Sequence, residues 1–332
     1  MKYLLLDAQN LFHRASHVTN GNIDLRVGMS MHIILMSIAS AWKMAQADHI
    51  VVGLECSNAN NWRRIYDQRY KANRAIKRQE MTERERQDME LLMEAFNDFT
   101  SYLANKTNVT VLQCPVAEAD DMLAHWVRKH PQDDHVLLSS DKDFQQLLAD
   151  NVIQFNGVSK KIFASKGCDM IKDLQIPHDV SVEYIEDIDF KLFEKIIRGD
   201  AGDNIFSAFP KVRAKSAKGK PGIVKAWEDR EDKGYEWNNF MLSKWTDHEG
   251  VEHVVRDCFE INNKLINLRD HPEEVQNVMT EYMNMAKEPV DSSKIGFHFF
   301  KLCHRYNLEK ATEHAEEITR MFAASLNEKK TS

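Results

Sequence analysis

The sequence predicts an α/β fold: a largely parallel central sheet with helices on both faces, continued by a helical second half. Three observations carry this reading. Short apolar runs alternate with segments of helical periodicity up to about Phe190. Those runs are short and apolar in the manner of buried strands, and strand–helix alternation implies a parallel sheet. Beyond Phe190 the strand signals fade and the chain reads as helical.

In order along the chain, residues 3–6 ("YLLL") read as a first buried strand. Residues 29–47 form a Met- and Ile-rich helix, whose methionines are core filler rather than a cofactor box. Residues 49–54 are the second strand and residues 85–105 a long amphipathic helix. Residues 109–112 give a third strand, 136–139 a fourth and 152–155 a fifth. Three regions follow: an α/β domain over 1–190, a helical region over 191–290, and a helical tail over 291–332 ending in the frayed "NEKKTS".

The chain has 332 residues, 43% of them hydrophobic and 29% charged, as expected of a soluble protein with a real core. No apolar run approaches the roughly 18 residues of a membrane span. The start, "MKYLLLD", is too short and too soon acidic for a signal peptide. The five cysteines are odd in number and scattered without a C-x-x-C pair, which supports neither a zinc site nor a disulfide framework. Cytoplasm is the default compartment.

The net charge of −7 by itself argues against nucleic acid, but it hides a local pattern. Residues 62–86 carry nine Lys/Arg against four Asp/Glu, and residues 211–225 carry six Lys/Arg and no acid. Two basic segments beside clustered acids point to a polyanion and a bound cation. The bland alternative is that both are solvated faces.

The acids gather where apolar runs end. Asp7 closes the first strand and Glu55 the second; "VAEADDML" brings Glu118, Asp120 and Asp121 after the third. In "SSDKDF", Asp141 and Asp143 close the fourth. Helix capping explains one Asp at such a corner. It does not explain carboxylates in four loops on the same sheet edge, which would repel unless a cation joined them. Hard oxygen donors of this kind suit Mg²⁺ or Mn²⁺. "RGDAGDN" adds Asp200 and Asp203 at i, i+3.

The ordered set "LLLDAQN", "NWRRIYDQRYKANR", "AEADDMLA", "LLSSDKDFQQLL" and "IIRGDAGDNI" resembles the bacteriophage 5′-nuclease and flap endonuclease family, nearest in pattern to its T-even ribonuclease H branch. The resemblance covers roughly residues 1–290. It implies a PIN/5′-nuclease-like sheet, a basic arch over 62–86, and a helix–three-turn–helix-type extension. It implies two Mg²⁺ or Mn²⁺ ions: Asp7, Glu55, Glu118, Asp121 and Asp141 around the first, Asp143, Asp200 and Asp203 nearer the second, and Asp120 beside both. The family has Asp where Glu55 stands, a longer carboxylate here.

By the same resemblance, Lys71 and Arg74 of the arch reach the scissile phosphate, with Tyr70 in the same Tyr-Lys-x-x-Arg motif. Arg63 and Arg64 either grip backbone phosphates or form a solvent-facing helix edge. The family's Gly-rich hairpin is altered to "FPKVRAKSAKGKPGIVKAW", so a potassium site is not carried over. Lys211, Arg213, Lys215, Lys218 and Lys220 remain as sequence-independent phosphate contacts.

The implied activity is metal-dependent, structure-selective 5′ cleavage, exonuclease and flap endonuclease, on duplex DNA and RNA·DNA hybrids. The implied setting is removal of RNA primers in phage lagging-strand replication, in the host cytoplasm. A single-strand-binding protein and a sliding clamp are candidate partners of a monomer without membrane association. Two alternatives stand beside it: a PIN-type RNA endonuclease, which lacks the long arch, and a non-catalytic DNA-structure binding module. His13 and His17 lack a third zinc ligand, Ser139 and Ser140 lack a G-x-S-x-G elbow, and Gly53 and Gly157 stand alone, outside any P-loop or dinucleotide fingerprint. Asp7 is not followed by the D-x-T of haloacid-dehalogenase phosphatases.

Overall fold

The computed structural model describes residues 1–19, 21–56, 60–216, 221–285 and 287–324. In chain order its first elements are β1 (Lys2–Asp7), α1 (Ala8–Val18), α2 (Ile23–Ala45), β2 (His49–Leu54), α3 (Ala72–Gln79), α4 (Glu83–Lys106) and β3 (Thr110–Gln113). Then come α5 (Ala119–Lys129), β4 (Asp134–Leu138), β5 (Val152–Asn156), β6 (Lys161–Ser165), β7 (Ser181–Ile185) and α6 (Ile188–Arg198). The last are α7 (Ile223–Glu228), α8 (Tyr235–Met241), β8 (Lys244–Thr246), β9 (Glu252–Val254), α9 (Val255–Ile266), α10 (Glu273–Met283), α11 (Ser292–Arg305), α12 (Glu309–Glu313) and α13 (Ala315–Ala323).

The chain packs as two compact units. The first takes Met1–Ala59, Met81–Glu186 and Glu273–Ser332; the second takes Asn60–Glu80 and Asp187–Pro272. This partition runs differently from the expected 1–190, 191–290 and 291–332. The C-terminal helices join the first unit because Phe299 of α11 and Phe322 of α13 are wholly buried in its core with Leu4, Met31 and Phe99. Residues 60–80 join the second because Tyr70 packs into a cluster with Leu192, Ile196 and Leu265.

The first unit is built on a seven-stranded sheet of order β3-β2-β1-β4-β5-β6-β7. Strands β1 to β5 are parallel, and only β6 runs antiparallel to its neighbour β5. The middle strands β1, β2 and β4 are almost wholly buried, as double-sided burial requires. The five expected strands are present with small shifts of boundary. The β6–β7 pair was not legible: β7, "SVEYI", is an edge strand with polar exposed positions. The short β8–β9 hairpin in the second unit was likewise unmarked.

Helix α2 starts at an Asn22 cap and ends at Gln46 in the left-handed region. By length and composition it is apolar enough to cross a membrane, contrary to the sequence expectation. Its buried face (Met31, Ile34, Leu35, Ile38) belongs to the core of the first unit. Helix α4 starts at a capping box of Thr82 and Glu85.

The strand order reverses between β1 and β4, and ligand sites of open parallel sheets sit at such a switch point. Asp7 ends β1 and Ser139 follows β4, so the sheet delivers both to this one place on its carboxyl edge.

Two buried histidines tie this sheet to acid conditions. His49 of β2 bonds the Ala324 carbonyl at 3.0 Å and Thr110 Oγ1 at 2.8 Å; His135 of β4 bonds the His130 carbonyl at 3.0 Å. Burial pushes both imidazoles down to about 4. The unfolded chain therefore takes up protons first as pH falls from about 6.5, and stability is lost between there and about pH 4. Chemical denaturation at pH 7 and pH 4.5 should show a loss of roughly 1.4 kcal/mol per pH unit per histidine over that range. Replacing His49 by Gln should flatten the slope.

Candidate metal centre and nucleic-acid interface

Helix α5 opens directly at the acids. Glu118 is its cap residue and is 1% exposed; Asp121 is wholly buried. The Glu118 backbone N–H donates to Asp121 Oδ2 at 3.0 Å, and the Asp121 N–H donates to Asp120 Oδ1 at 2.7 Å. Carboxylate oxygens of Glu118, Asp120 and Asp121 all lie within 4.8 Å of one another. The helix N-terminus offers partial positive charge to these acids. Two buried carboxylates and a third beside them still form an oxygen-only donor set that fits a divalent cation.

Gly53 explains how α5 reaches this place. It pairs with Asp7 in the β1–β2 register, and a Cβ on it would stand 2.9 Å from the Ala119 carbonyl oxygen and 2.9 Å from Leu123 Cγ. The glycine lets the acidic start of α5 seat on the sheet, a packing role that a search for phosphate-loop motifs could not see. Gly53→Ala should push the helix outward, destabilise the unit by about 1–3 kcal/mol, and weaken divalent-ion binding. Thermal unfolding with and without Mg²⁺ measures both.

A second chain of contacts runs along the β1–β4 edge. Ser139 Oγ donates to Asp7 Oδ2 at 3.0 Å and accepts from the Asp141 N–H at 3.0 Å. Asp7 also caps α1, accepting from the Asn10 N–H at 3.2 Å. Asn10 Oδ1 accepts from Ser140 Oγ at 2.6 Å. Gln154, 1% exposed, donates through Nε2 to the Ser139 carbonyl at 3.0 Å and the Asp141 carbonyl at 2.5 Å. Asp141 Oδ1 caps the short 3₁₀ turn Lys142–Leu147 by accepting from the Asp143 N–H at 2.9 Å. So the capping reading of "SSDKDF" holds for Asp141, and Asp143 is a half-buried second carboxylate at the same corner. Glu55 follows β2, its backbone carbonyl accepting from Gln113 Nε2 at 3.0 Å.

Ser139, Asn10 and Gln154 are orienting residues that sequence reasoning missed. Sequence offers Ser139 and Ser140 only as candidate nucleophiles, a role they lack a motif for. A sequence signal existed in the Asp-x-x-Asn of "LLLDAQN", an Asx-cap spacing.

The remaining expected residues lie in the second unit. Asp200 and Ile205 pair as an isolated antiparallel bridge, closing a tight loop. Gly199 takes a φ of 72° before it, and a Cβ there would meet the Ile205 carbonyl oxygen at 2.5 Å. Burial works to raise the Asp200 carboxyl, but Lys195 at 3.0 Å and the backbone amides of Gly202 and Asp203 outweigh it and hold it below the usual range. Asp203 pairs with Arg74 Nη2 at 2.7 Å and with Lys71 Nζ at 3.8 Å. The Lys71 backbone N–H donates to the Asp203 carbonyl at 2.9 Å, and Asn73 Nδ2 bonds the carbonyls of Ala201 and Gly202. Residues 69–74 and the 200–206 loop are thus laced together.

Arg63 and Tyr70 depart from expectation. Arg63 is 1% exposed, donates from Nε to the Leu265 carbonyl at 2.8 Å, and lies over the rings of Trp62 (4.8 Å) and Tyr70 (5.8 Å). Tyr70 is 2% exposed and also faces Lys71 Nζ at 5.1 Å. Both, like the 7% exposed Lys71, are packed into the interior of the second unit. The Trp-Arg-Arg string reads as basic surface only because sequence does not show which arginine turns inward. Arg64 is half-buried; Lys211, Arg213 and Lys215 are exposed, and Lys218 and Lys220 lie outside the described residues.

A family model described as the N-terminal, resolvase-like domain of 5′-3′ exonucleases matches residues 2–173. The chain belongs to the 5′-3′ exonuclease family. Two solved bacteriophage T5 structures share its fold. A flap endonuclease in complex with DNA and metal ions aligns with a TM-score of 0.58 at 19% identity, over 92% of this chain and 100% of its own. A 5′-exonuclease with zinc bound aligns at 0.53 and 20% identity, over 96% of this chain and 100% of its own. No curated protein matches. The parallel sheet of this 5′-3′ exonuclease-family chain thus agrees with the expected fold class.

Proposed function

We propose that this nuclease-family protein is a divalent-metal-dependent, structure-selective 5′ nuclease that cuts duplexes at free 5′ ends and 5′ flaps, on DNA and RNA·DNA hybrids. The observation that carries the proposal is the set of Glu118, Asp120 and Asp121 oxygens within 4.8 Å, two of the three residues buried, on the sheet edge that also holds Asp7. Two Mg²⁺ or Mn²⁺ ions are the proposed cofactors. Asp7, Glu55, Glu118, Asp121 and Asp141 would hold the first, with Asp120 beside both ions and Asp143 toward the second. Asp200 and Asp203 are proposed ligands of the second ion on the motif resemblance alone. When bound, such ions polarise a phosphate and favour in-line attack by water.

The chain's own residues supply the rest. Ser139 orients Asp7 and Asp141 together through one hydroxyl. Lys71 and Arg74, paired with Asp203, are cations that a scissile phosphate would draw upon, adding charge stabilisation as cleavage proceeds. Lys211, Arg213 and Lys215 would bind backbone phosphates of the duplex without reading sequence. Removal of RNA primers in phage replication, a monomeric state, host cytoplasm, and single-strand-binding and clamp partners form the proposed setting.

The test is product analysis on 5′-labelled nicked, flapped, blunt and RNA·DNA substrates, each with its 5′ end free or blocked. The reading expects short 5′ products with Mg²⁺ and strong loss when the 5′ end is blocked. Cleavage indifferent to 5′ structure, confined to single-stranded RNA, would favour a PIN-type endonuclease instead.

A further inference from the structure

The loop that carries Asp200 and Asp203 ends in a residue with no structural reason to be aromatic. Phe206 is 58% exposed, so its ring adds little to any core. Its backbone is nonetheless fixed. The Phe206 carbonyl accepts from Asn262 Nδ2 at 2.8 Å, and Gly199 packs so closely that a Cβ on it would come within 2.6 Å of that carbonyl. The ring is presented to solvent from a rigid base.

It is not alone. The Arg69 guanidinium carbon lies 5.0 Å from the Phe206 ring centroid. Arg69 is itself held by a two-pronged pair with Asp67, Nε to Oδ1 and Nη2 to Oδ2, each 3.0 Å. The Arg69 carbonyl accepts from Asn204 Nδ2 at 2.8 Å, which ties it to the same loop. The result is a phenyl ring and a planar cation, both open to water, three residues from the carboxylate that Lys71 and Arg74 contact.

A single exposed Phe is ordinary on a protein surface. An exposed ring beside a pre-oriented guanidinium, on a loop laced to two phosphate-type cations, has the parts of a platform for single-stranded nucleic acid. A positively charged track holds the backbone, and a π face takes the base. We infer that Phe206 with Arg69 forms a stacking site for one unpaired base of the strand whose backbone Lys71 and Arg74 hold. The inference rests on the nuclease reading above and adds a binding subsite to it. Because Asp67 balances the Arg69 charge, the contribution is stacking rather than phosphate neutralisation, and it is indifferent to base identity.

The experiment places 2-aminopurine in a single-stranded 5′ extension on a duplex and follows its fluorescence and affinity in EDTA, for wild type, Phe206→Ala and Phe206→Trp. Wild type should quench the probe. Phe206→Ala should lose most of the quenching and bind the extended duplex roughly 10-fold more weakly, within the range measured for one stacked base. Blunt-duplex affinity and the salt slope should stay as in wild type, and Phe206→Trp should restore quenching. Unchanged quenching and affinity in Phe206→Ala would overturn the inference, as would an equal loss on blunt duplex, which would make the ring a structural element. Failure of wild type to bind either DNA would instead overturn the nuclease reading on which the site rests.

Discussion

Asp121→Asn is expected to lower single-turnover cleavage of a 5′-flap substrate by about 1,000-fold or more, with little change in fold. The two halves of this expectation have separate causes. Asp121 Oδ2 accepts the Glu118 backbone N–H, and an Asn carbonyl accepts that bond as well. The capping role at the start of α5 therefore survives. What Asn removes is the charge of a wholly buried carboxylate whose neighbours, Glu118 and Asp120, lie within 4.8 Å. If these acids hold the proposed ion, losing one anion removes several kcal/mol of transition-state stabilisation, at about 1.4 kcal/mol per factor of ten. The measurement pairs single-turnover rates with thermal unfolding. A wild-type rate with a wild-type Tm would return Asp121 to a purely capping role.

Lys71→Met should slow cleavage by about 100-fold, the scale on which removing one preorganised charge acts, while duplex affinity changes only a few-fold. Met is chosen because the Lys71 side chain is buried against Tyr70, and its stem needs a replacement of similar length. Arg74 remains to pair Asp203, so the variant leaves no uncompensated buried charge there. Lys71 also sits at a φ of 56°, which marks its backbone as held in place by its surroundings. Gel-shift affinity and single-turnover rate on one flap substrate decide the matter. A loss of affinity as large as the loss of rate would make Lys71 a general phosphate contact rather than one aimed at the reacting group.

Much of this was legible in the sequence because the period of a buried strand is short and its end is marked by polarity. "YLLLD" and "HVLLSSD" announce both a strand and the acid that closes it. The acids were findable because carboxylates in several strand-end loops have no shared bland explanation. Other features depend on facts that spacing does not encode. Gly53 serves a helix more than sixty residues downstream. Gln154 reaches back to the Ser139 and Asp141 carbonyls across the sheet. Arg63 and Arg64 are adjacent and chemically identical, yet tertiary packing buries the first and leaves the second half-exposed. β7 carries polar residues at an edge, where no second buried face forces an apolar pattern. The segment 60–80 was expected to belong with the α/β domain because it lies between two of its strands. Its Tyr70 instead packs with Leu192 of α6 and Leu265 of α9 in the second unit, and Arg63 Nε bonds the Leu265 carbonyl.

The acids at the carboxyl edge of the sheet are proposed to hold divalent ions required for cutting. A Mg²⁺ titration of single-turnover flap cleavage, run on wild type and Asp121→Asn and closed by EDTA, tests it most directly. The wild-type rate should climb with Mg²⁺ to saturation and fall to background in EDTA, and the Asp121→Asn rate should stay near background throughout. Wild-type cleavage that persists undiminished in EDTA would contradict it.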